Sequence, residues 1–395
     1  IKWGQWTSTR PDMFSAGLCK ALSRLHDGAK AHSLAITESQ IAKELECSID
    51  DAFDSFEYKP VASGSIAQVY RAKLNGEDVA VKVRHPGVTS QIQIDFRIMK
   101  VVASILDSLP GLGWLNLEES MLQFSHTIAS QTNFVTEGSK LHLFNKNFRN
   151  SQGIGFPVPI VLTESVLIES FEEGISVAEF TDLYRKKERS YTDPEVNLAI
   201  IAQGENMYLK MLLEDNLMHA DLHPGNILVQ KMKKRGRGRQ KNAVRIILVD
   251  AGMTAVLSEA EQQNFIGLLE AMGEGGRKGG TEAAHYLLNF TSSPAEYSAE
   301  QINQFTKDVS EFFAESCGGY FSGMDMGNVL RGILGFLREH RISIDANYAT
   351  LVMNALCLDG LAKELIPSYR VLDAAKPLLR AHQLSKRLPL GRTIF

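Results

Sequence analysis

Cysteine is scarce in this chain. There are four in 395 residues, Cys19, Cys47, Cys317 and Cys357, and no Cys-x-x-Cys pair. That excludes a disulfide scaffold and suggests no structural zinc site. Long apolar runs are missing as well. The longest stretch without a charge, 120–136, carries Gln123, His126, Gln131 and Asn133, which does not suit a lipid-spanning helix. Neither sign of charge dominates: Lys plus Arg is 42, Asp plus Glu is 46, and the net charge is −4. A general nucleic-acid binder is a poor match to that balance. There is no initiator Met. The chain begins at Ile1 and reads as a piece of a longer protein, so the lack of a leader is uninformative. No internal repeat recurs at a period of 20–50 residues.

What is present is an ordinary apolar content of 44%, enough for a sizeable core spread over two or three lobes. The opening 58 residues read as helical. Phe14, Leu18, Leu22 and Leu25 form one apolar face, and a second helix is predicted over 38–47. The character then changes. Two strand-like runs, 66–73 and 78–83, flank Asn75–Gly76, a hairpin signal. Helices are predicted over 89–109 and, unbroken, over 117–144. Two further strands are expected around a turn at 163–165, then helices over 177–184 and 195–216. A strand at 244–249 follows, and beyond 259 the pattern is mainly helical. Gly273–Gly280 reads as a glycine-rich loop between helices.

Three signals in fixed order carry the chemistry. The first is Val79-Ala80-Val81-Lys82, with the small-residue loop Ala62, Ser63, Gly64 and Ser65 before it. Such a loop lets backbone N–H groups approach a phosphate, and a strand lysine beside it supplies a fixed positive charge. The second is His219-Ala-Asp221-Leu-His-Pro-Gly-Asn226, the H-x-D-x-x-x-x-N spacing of a kinase catalytic loop. Asp221 can orient or deprotonate a nucleophile, and Asn226 can offer a divalent ion its amide oxygen. The third is the apolar strand ending in Asp250-Ala251-Gly252, where a kinase has Asp-Phe-Gly. Asp250 is suited to the metal that bridges nucleotide phosphates. Strands 227–229 and 244–249 are expected to pair and bring Asn226 and Asp250 to one end. Glu137 is the best candidate to hold Lys82 in place.

At these residues the sequence resembles the ABC1/ADCK/UbiB family of atypical protein-kinase-like proteins, over nearly its whole length. The marks are Lys2-Trp-Gly4-Gln5, the run 8–14, the run 63–72, the catalytic loop and Asp250-Ala-Gly. The runs 109–117 and 371–379 look most like the ADCK2 branch. The resemblance implies an α+β, kinase-like two-lobe fold: a helical extension over 1–58, a strand-rich lobe with inserted helices over 59–173, and a helical lobe over 174–395. It implies ATP and Mg2+ as cofactors, and ATPase or small-molecule kinase action more than protein phosphorylation. A backbone hinge for adenine is expected around Glu169 and Phe171. Lys2, Gly4 and Gln5 correspond to the family's K-x-G-Q signature, on an extension that covers the protein-substrate groove. Its E-x-D signature falls on Gln131 and Asn133, so the carboxylates are gone.

The family further implies a mitochondrial or plastid location, peripheral to a membrane, and a connection to ubiquinone or lipid synthesis and its proteins. The basic run 231–241, with seven Lys and Arg, reads as an exposed hairpin loop that could touch anionic lipid. Two other readings stay open. One is a nucleotide-gated scaffold with little turnover. The other, against which the Lys2–Gln5 signature argues, is an aminoglycoside- or choline-kinase-like enzyme.

Overall fold

The computed structural model describes residues 7, 10–22, 31–188, 192–231, 244–291 and 297–387. Lys2, Gly4, Gln5 and nearly all of the basic run lie outside the described residues.

The chain opens with the helices α1 (Ala16–Leu22), α2 (Leu34–Leu45) and α3 (Ile49–Ala52). Strands β1 (Ser55–Phe56), β2 (Ala62–Ser63), β3 (Ala67–Leu74) and β4 (Glu77–Arg84) follow. The β3–β4 turn works because Asn75 and Gly76 both take positive φ, 53° and 81°. That geometry matches strand twist and favours these two residue types. Helices α4 (Val88–Asp107), α5 (Leu117–Gln131) and α6 (Phe134–Asn147) come next. The expected single helix over 117–144 is therefore two. Asn133 leaves helical geometry, with φ −116° and ψ 108°, and its side chain accepts from the Val135 amide. A good N-cap inside a charge-free run starts a new helix.

Four strands complete the first half: β5 (Ile154–Gly155), β6 (Pro159–Leu162), β7 (Val166–Ser170) and β8 (Ile175–Ser176). The small lobe is a six-stranded sheet in the order β1-β3-β4-β7-β6, with β2 on β3. Its strands alternate strictly. Val79, Val81 and Val83 of β4 turn to one face and pack, fully buried, with Tyr70, Val166, Ile168 and Ile41 of α2. Ala80, Lys82 and Arg84 turn to the other face, opposite Arg71, Val69 and Ala67 on β3. On β7, Glu169 stands opposite Ala80 and Leu167 opposite Lys82. This second face lines the cleft.

The large lobe begins with α7 (Val177–Arg185) and α8 (Pro194–Lys210). The expected helix to Asn216 widens at its end into a π-helical turn, Met211–Asp215, where buried Lys210 pairs with Glu214 at 3.3 Å and Asp215 at 2.8 Å. Strands β9 (Leu217–His219), β10 (Ile227–Lys231), β11 (Val244–Leu248) and β12 (Thr254–Val256) carry the loops of interest. Helices α9 (Glu259–Glu274), α10 (Gly276–Leu288), α11 (Ala299–Ser316), α12 (Met326–Glu339), α13 (Ala346–Leu365) and α14 (Val371–Arg387) close the chain. The expected loop over 273–280 shrinks to Gly275 and Gly276, both at positive φ; Gly279 and Gly280 are helical. Packing explains them: a Cβ on Gly279 would stand 2.3 Å from the Ala271 carbonyl oxygen, and one on Gly280 2.6 Å from the Ser310 Cα. Phe305 and Phe313 of α11 are fully buried in the large core.

The start of the chain braces both lobes. Arg10 is buried, pairs with Asp12 at 2.7 Å and donates to the Ile344 carbonyl at 3.0 Å. Met13 and Phe14 join an apolar cluster with Ile92 of α4, Met121 and Phe124 of α5, and Met253.

Glu205 is buried in the large lobe, where it accepts from the Tyr369 hydroxyl at 2.6 Å. Burial pushes its carboxyl up to about 7, with the Tyr369 hydrogen bond opposing. A folded-state pKa above the unfolded one stabilises below the unfolded value, and that stability is lost as pH rises through the folded value. Glu205→Gln should therefore gain stability over the wild type between about pH 4.5 and 7, by roughly 3 kcal/mol at most. Paired denaturant titrations across that range check it; a pH-independent difference is the contrary result.

Candidate functional site

Two groups of residues meet in the cleft. The first is buried and belongs to the sheet side. Lys82 on β4 is 9% exposed, and its Nζ donates to Glu137 Oε1 of α6 at 2.7 Å. A second carboxylate, Glu169 of β7, lies 3.1 Å from the same Nζ. Burial works to lower the Lys82 ammonium, but Glu137, Glu169 and Asp250 overcome it and hold it charged. Burial raises both glutamates, with Lys82 opposing. The small-residue loop sits two strands away in the same row: Ala62 faces Val69, which faces Lys82. Ala62 thus shares the cleft face, and Ser63, opposite Gln68, turns to the other. Beyond them the Gly64 amide donates to the Ala67 carbonyl at 2.8 Å, which turns the chain through Ser65 into β3.

The second group is open to the cleft and belongs to the large lobe. β10 and β11 pair as expected, with Ile227 opposite Leu248, so Asn226 and Asp250 emerge at one end. The Val249 amide donates to the Asn226 carbonyl at 2.9 Å. Asn226 Nδ2 donates to the Asp221 carbonyl at 3.1 Å, which aims the amide oxygen the other way. Asp250 is exposed, and its Oδ1 accepts from the Gly252 amide at 3.1 Å.

His219 ties these loops together by packing and hydrogen bonding. Its ring is fully buried. Nδ1 accepts from the Asp221 amide at 3.2 Å, which makes Nε2–H the donor to the Asp250 carbonyl at 2.6 Å. Burial keeps the ring neutral against the pull of the Asp250 carbonyl and the nearby aspartates. β9 and β12 zip the same two segments, pairing His219 with Thr254.

Helix α6 joins the two groups. Glu137 reaches Lys82, and one turn on, Lys140 Nζ donates to the Gly252 carbonyl at 3.1 Å. Asn133 is the N-cap of that helix. Gln131 is buried beside the Asp250 turn: a Cβ on Gly252 would stand 3.5 Å from Gln131 Nε2. The residues expected at the hinge behave differently from one another. Phe171 gives its N–H to the Asp78 carbonyl at 3.0 Å, and Arg71 lies over its ring at 4.5 Å. Glu169 sends its side chain to Lys82. Strand alternation is the signal that could have found this, since a carboxylate two residues after inward-facing Leu167 must turn into the cleft.

The donor set fits a hard cation. Among the described residues no group of three or more His, Cys, Asp or Glu could hold a metal alone. An ion at Asn226 and Asp250 would complete its shell from phosphate oxygens and water, the habit of Mg2+.

Comparisons with known proteins bear on the family and on the fold. Residues 24–283 match the family described as "ABC1 atypical kinase-like domain". The chain is 32% identical to the Dictyostelium discoideum protein named "Probable serine/threonine-protein kinase abkC" over 97% of its own length and 63% of the relative's. It is 29% identical to "ABC1 family protein YPL109C, mitochondrial" of Saccharomyces cerevisiae, over 96% of its own length and 65% of the relative's. The chain thus spans under two thirds of these relatives. Among solved structures, Rv3197 of Mycobacterium tuberculosis, in complex with erythromycin, aligns with a TM-score of 0.52 at 19% identity, covering 93% of this chain and 90% of that one. That likeness supports the fold, a strand-rich lobe on a helical lobe with a helical extension.

Replacing His219 with Ala should destabilise the protein by about 3 kcal/mol, because it opens a cavity and removes the partner of a part-buried amide and carbonyl. Urea midpoints measure the effect; a change below about 1 kcal/mol would show that β9–β12 pairing suffices to hold the loops.

Proposed function

Because the chain belongs to the ABC1 atypical kinase-like family, we propose that it binds ATP with Mg2+ in this cleft and transfers or hydrolyses the terminal phosphoryl group. The observation that carries the reading is the convergence of Lys82–Glu137 with Asp221, Asn226 and Asp250 on one cleft. Lys82, held by Glu137, would place the phosphates. Asp221, on a loop pinned by His219, would orient the attacking hydroxyl or water and accept its proton. Asn226 and Asp250 would hold the Mg2+. When bound, the ion would neutralise phosphate charge as the bond to the leaving diphosphate breaks. Prearranged charge supplies most of such catalysis.

The physiological setting is part of the proposal. A named relative is mitochondrial, which supports that location here. Support of ubiquinone or lipid synthesis, contact with an anionic membrane, and kinship with the ADCK2 branch follow from the resemblance in sequence. A second reading, a nucleotide-gated scaffold, draws support from Gln131. An uncharged amide is buried beside the Asp250 turn, where the family pattern has a carboxylate.

Asp221→Asn should keep the fold and nucleotide binding but lower phosphate release by a factor of about 100 or more. Asp250→Asn should remove the Mg2+-dependent part of nucleotide binding. Phosphate release and calorimetric binding on the same preparations check both. Turnover undisturbed in Asp221→Asn would refute the assignment. Tight binding by a wild type with no phosphate release would favour the scaffold.

A further inference from the structure

The Lys82 site holds one carboxylate more than positioning requires. Glu137, at 2.7 Å, already fixes the ammonium against α6. Glu169 approaches the same Nζ at 3.1 Å from a different element, β7. It is 3% exposed, and its Oε2 is buried without a hydrogen-bond partner. A buried carboxylate oxygen left unpartnered is costly, so an apolar or amide side chain would serve the strand better. Neighbouring Ala80 gives it no polar contact.

The charge has a clear consequence in the cleft. An ammonium has three donors. Two point at glutamates here, and Asp250 adds a further negative charge nearby. An arriving polyphosphate must draw Lys82 toward itself against both glutamates and bring its own negative charge beside them. Glu137 cannot be the dispensable one, because it links Lys82 to the helix that also reaches Gly252 through Lys140. Glu169 contributes charge without any such linkage. Its Oε2 is closed off, so it is not placed to read the base.

We propose that Glu169 is a positioning residue that competes with nucleotide phosphates for Lys82 and so limits how tightly the cleft takes a polyphosphate. The inference rests on reading the cleft as a nucleotide site. It predicts opposite signs for two glutamates that touch one lysine: neutralising Glu169 tightens phosphate binding, and neutralising Glu137 weakens it.

The test is calorimetric, on the whole chain, with three probes: Mg·ADP, Mg2+ with a non-hydrolysable ATP analogue, and adenosine. The variants are Glu169→Gln, Glu169→Met and Glu137→Gln, with thermal melts to confirm folding. Both Glu169 variants should bind the two Mg-nucleotides on the order of tenfold more tightly, with adenosine unchanged. Glu137→Gln should bind them more weakly. Unchanged or weaker Mg-nucleotide binding in the Glu169 variants overturns the inference while leaving the nucleotide reading intact. A gain that extends equally to adenosine overturns it too, since the effect would then lie in cavity shape. Failure of both variants to fold would make Glu169 a structural group. A folded wild type that binds neither nucleotide sinks the nucleotide reading, and this inference with it.

Discussion

A buried ammonium shared between a strand and a helix organises this molecule. Lys82 belongs to the small sheet, while Glu137 belongs to α6, whose Phe134, Leu141 and Phe144 are set in the large core. The pair therefore fixes the sheet against the large lobe at the point where the cleft opens. Buried ion pairs seldom stabilise a fold more than a well-packed apolar replacement would. What this one supplies is orientation. It aims one cation along the cleft face and, through Lys140, couples that aim to the loop that begins at Asp250.

The site divides into a dry half and a wet half. Lys82, Glu137 and Glu169 are buried, so their mutual field is strong and changes little with salt. Asp221 and Asn226 are partly exposed and Asp250 is open, which suits the proton and metal roles proposed for them. A neutral imidazole holds the wet half in register. Because the His219 ring bonds to backbone groups, it fixes where the loops lie without pairing with the carboxylates.

Much of this was legible in the residues. The hairpin at Asn75–Gly76, the strand bearing Lys82 and the convergence of Asn226 with Asp250 follow from short-range spacing, and the two-lobe architecture is what the family resemblance implies. Three features were not legible, the first because a local cap overrides the pattern and the other two because a distant contact decides them. Asn133 breaks a helix that apolar periodicity would continue, since its capping bond outweighs a weak pattern. The glycines of α10 read as a loop, yet they are helical because Ala271 and Ser310 press against them. Glu169 looked like part of a backbone hinge: alternation along β7 gives its face, but only the β4–β7 register sets it beside Ala80 and within reach of Lys82.

Asp250 adopts φ of +65°. Among residues with a Cβ, Asn and Asp enter that region most readily. An alanine there would remove a charge and strain the chain at once, and the loss of function would be blamed on chemistry alone. Asn removes the charge with the least change of shape and, like Gly, accepts the bend. Substitution at this position is therefore narrowly bounded: Asn or Gly preserves the turn, and almost any other choice strains it.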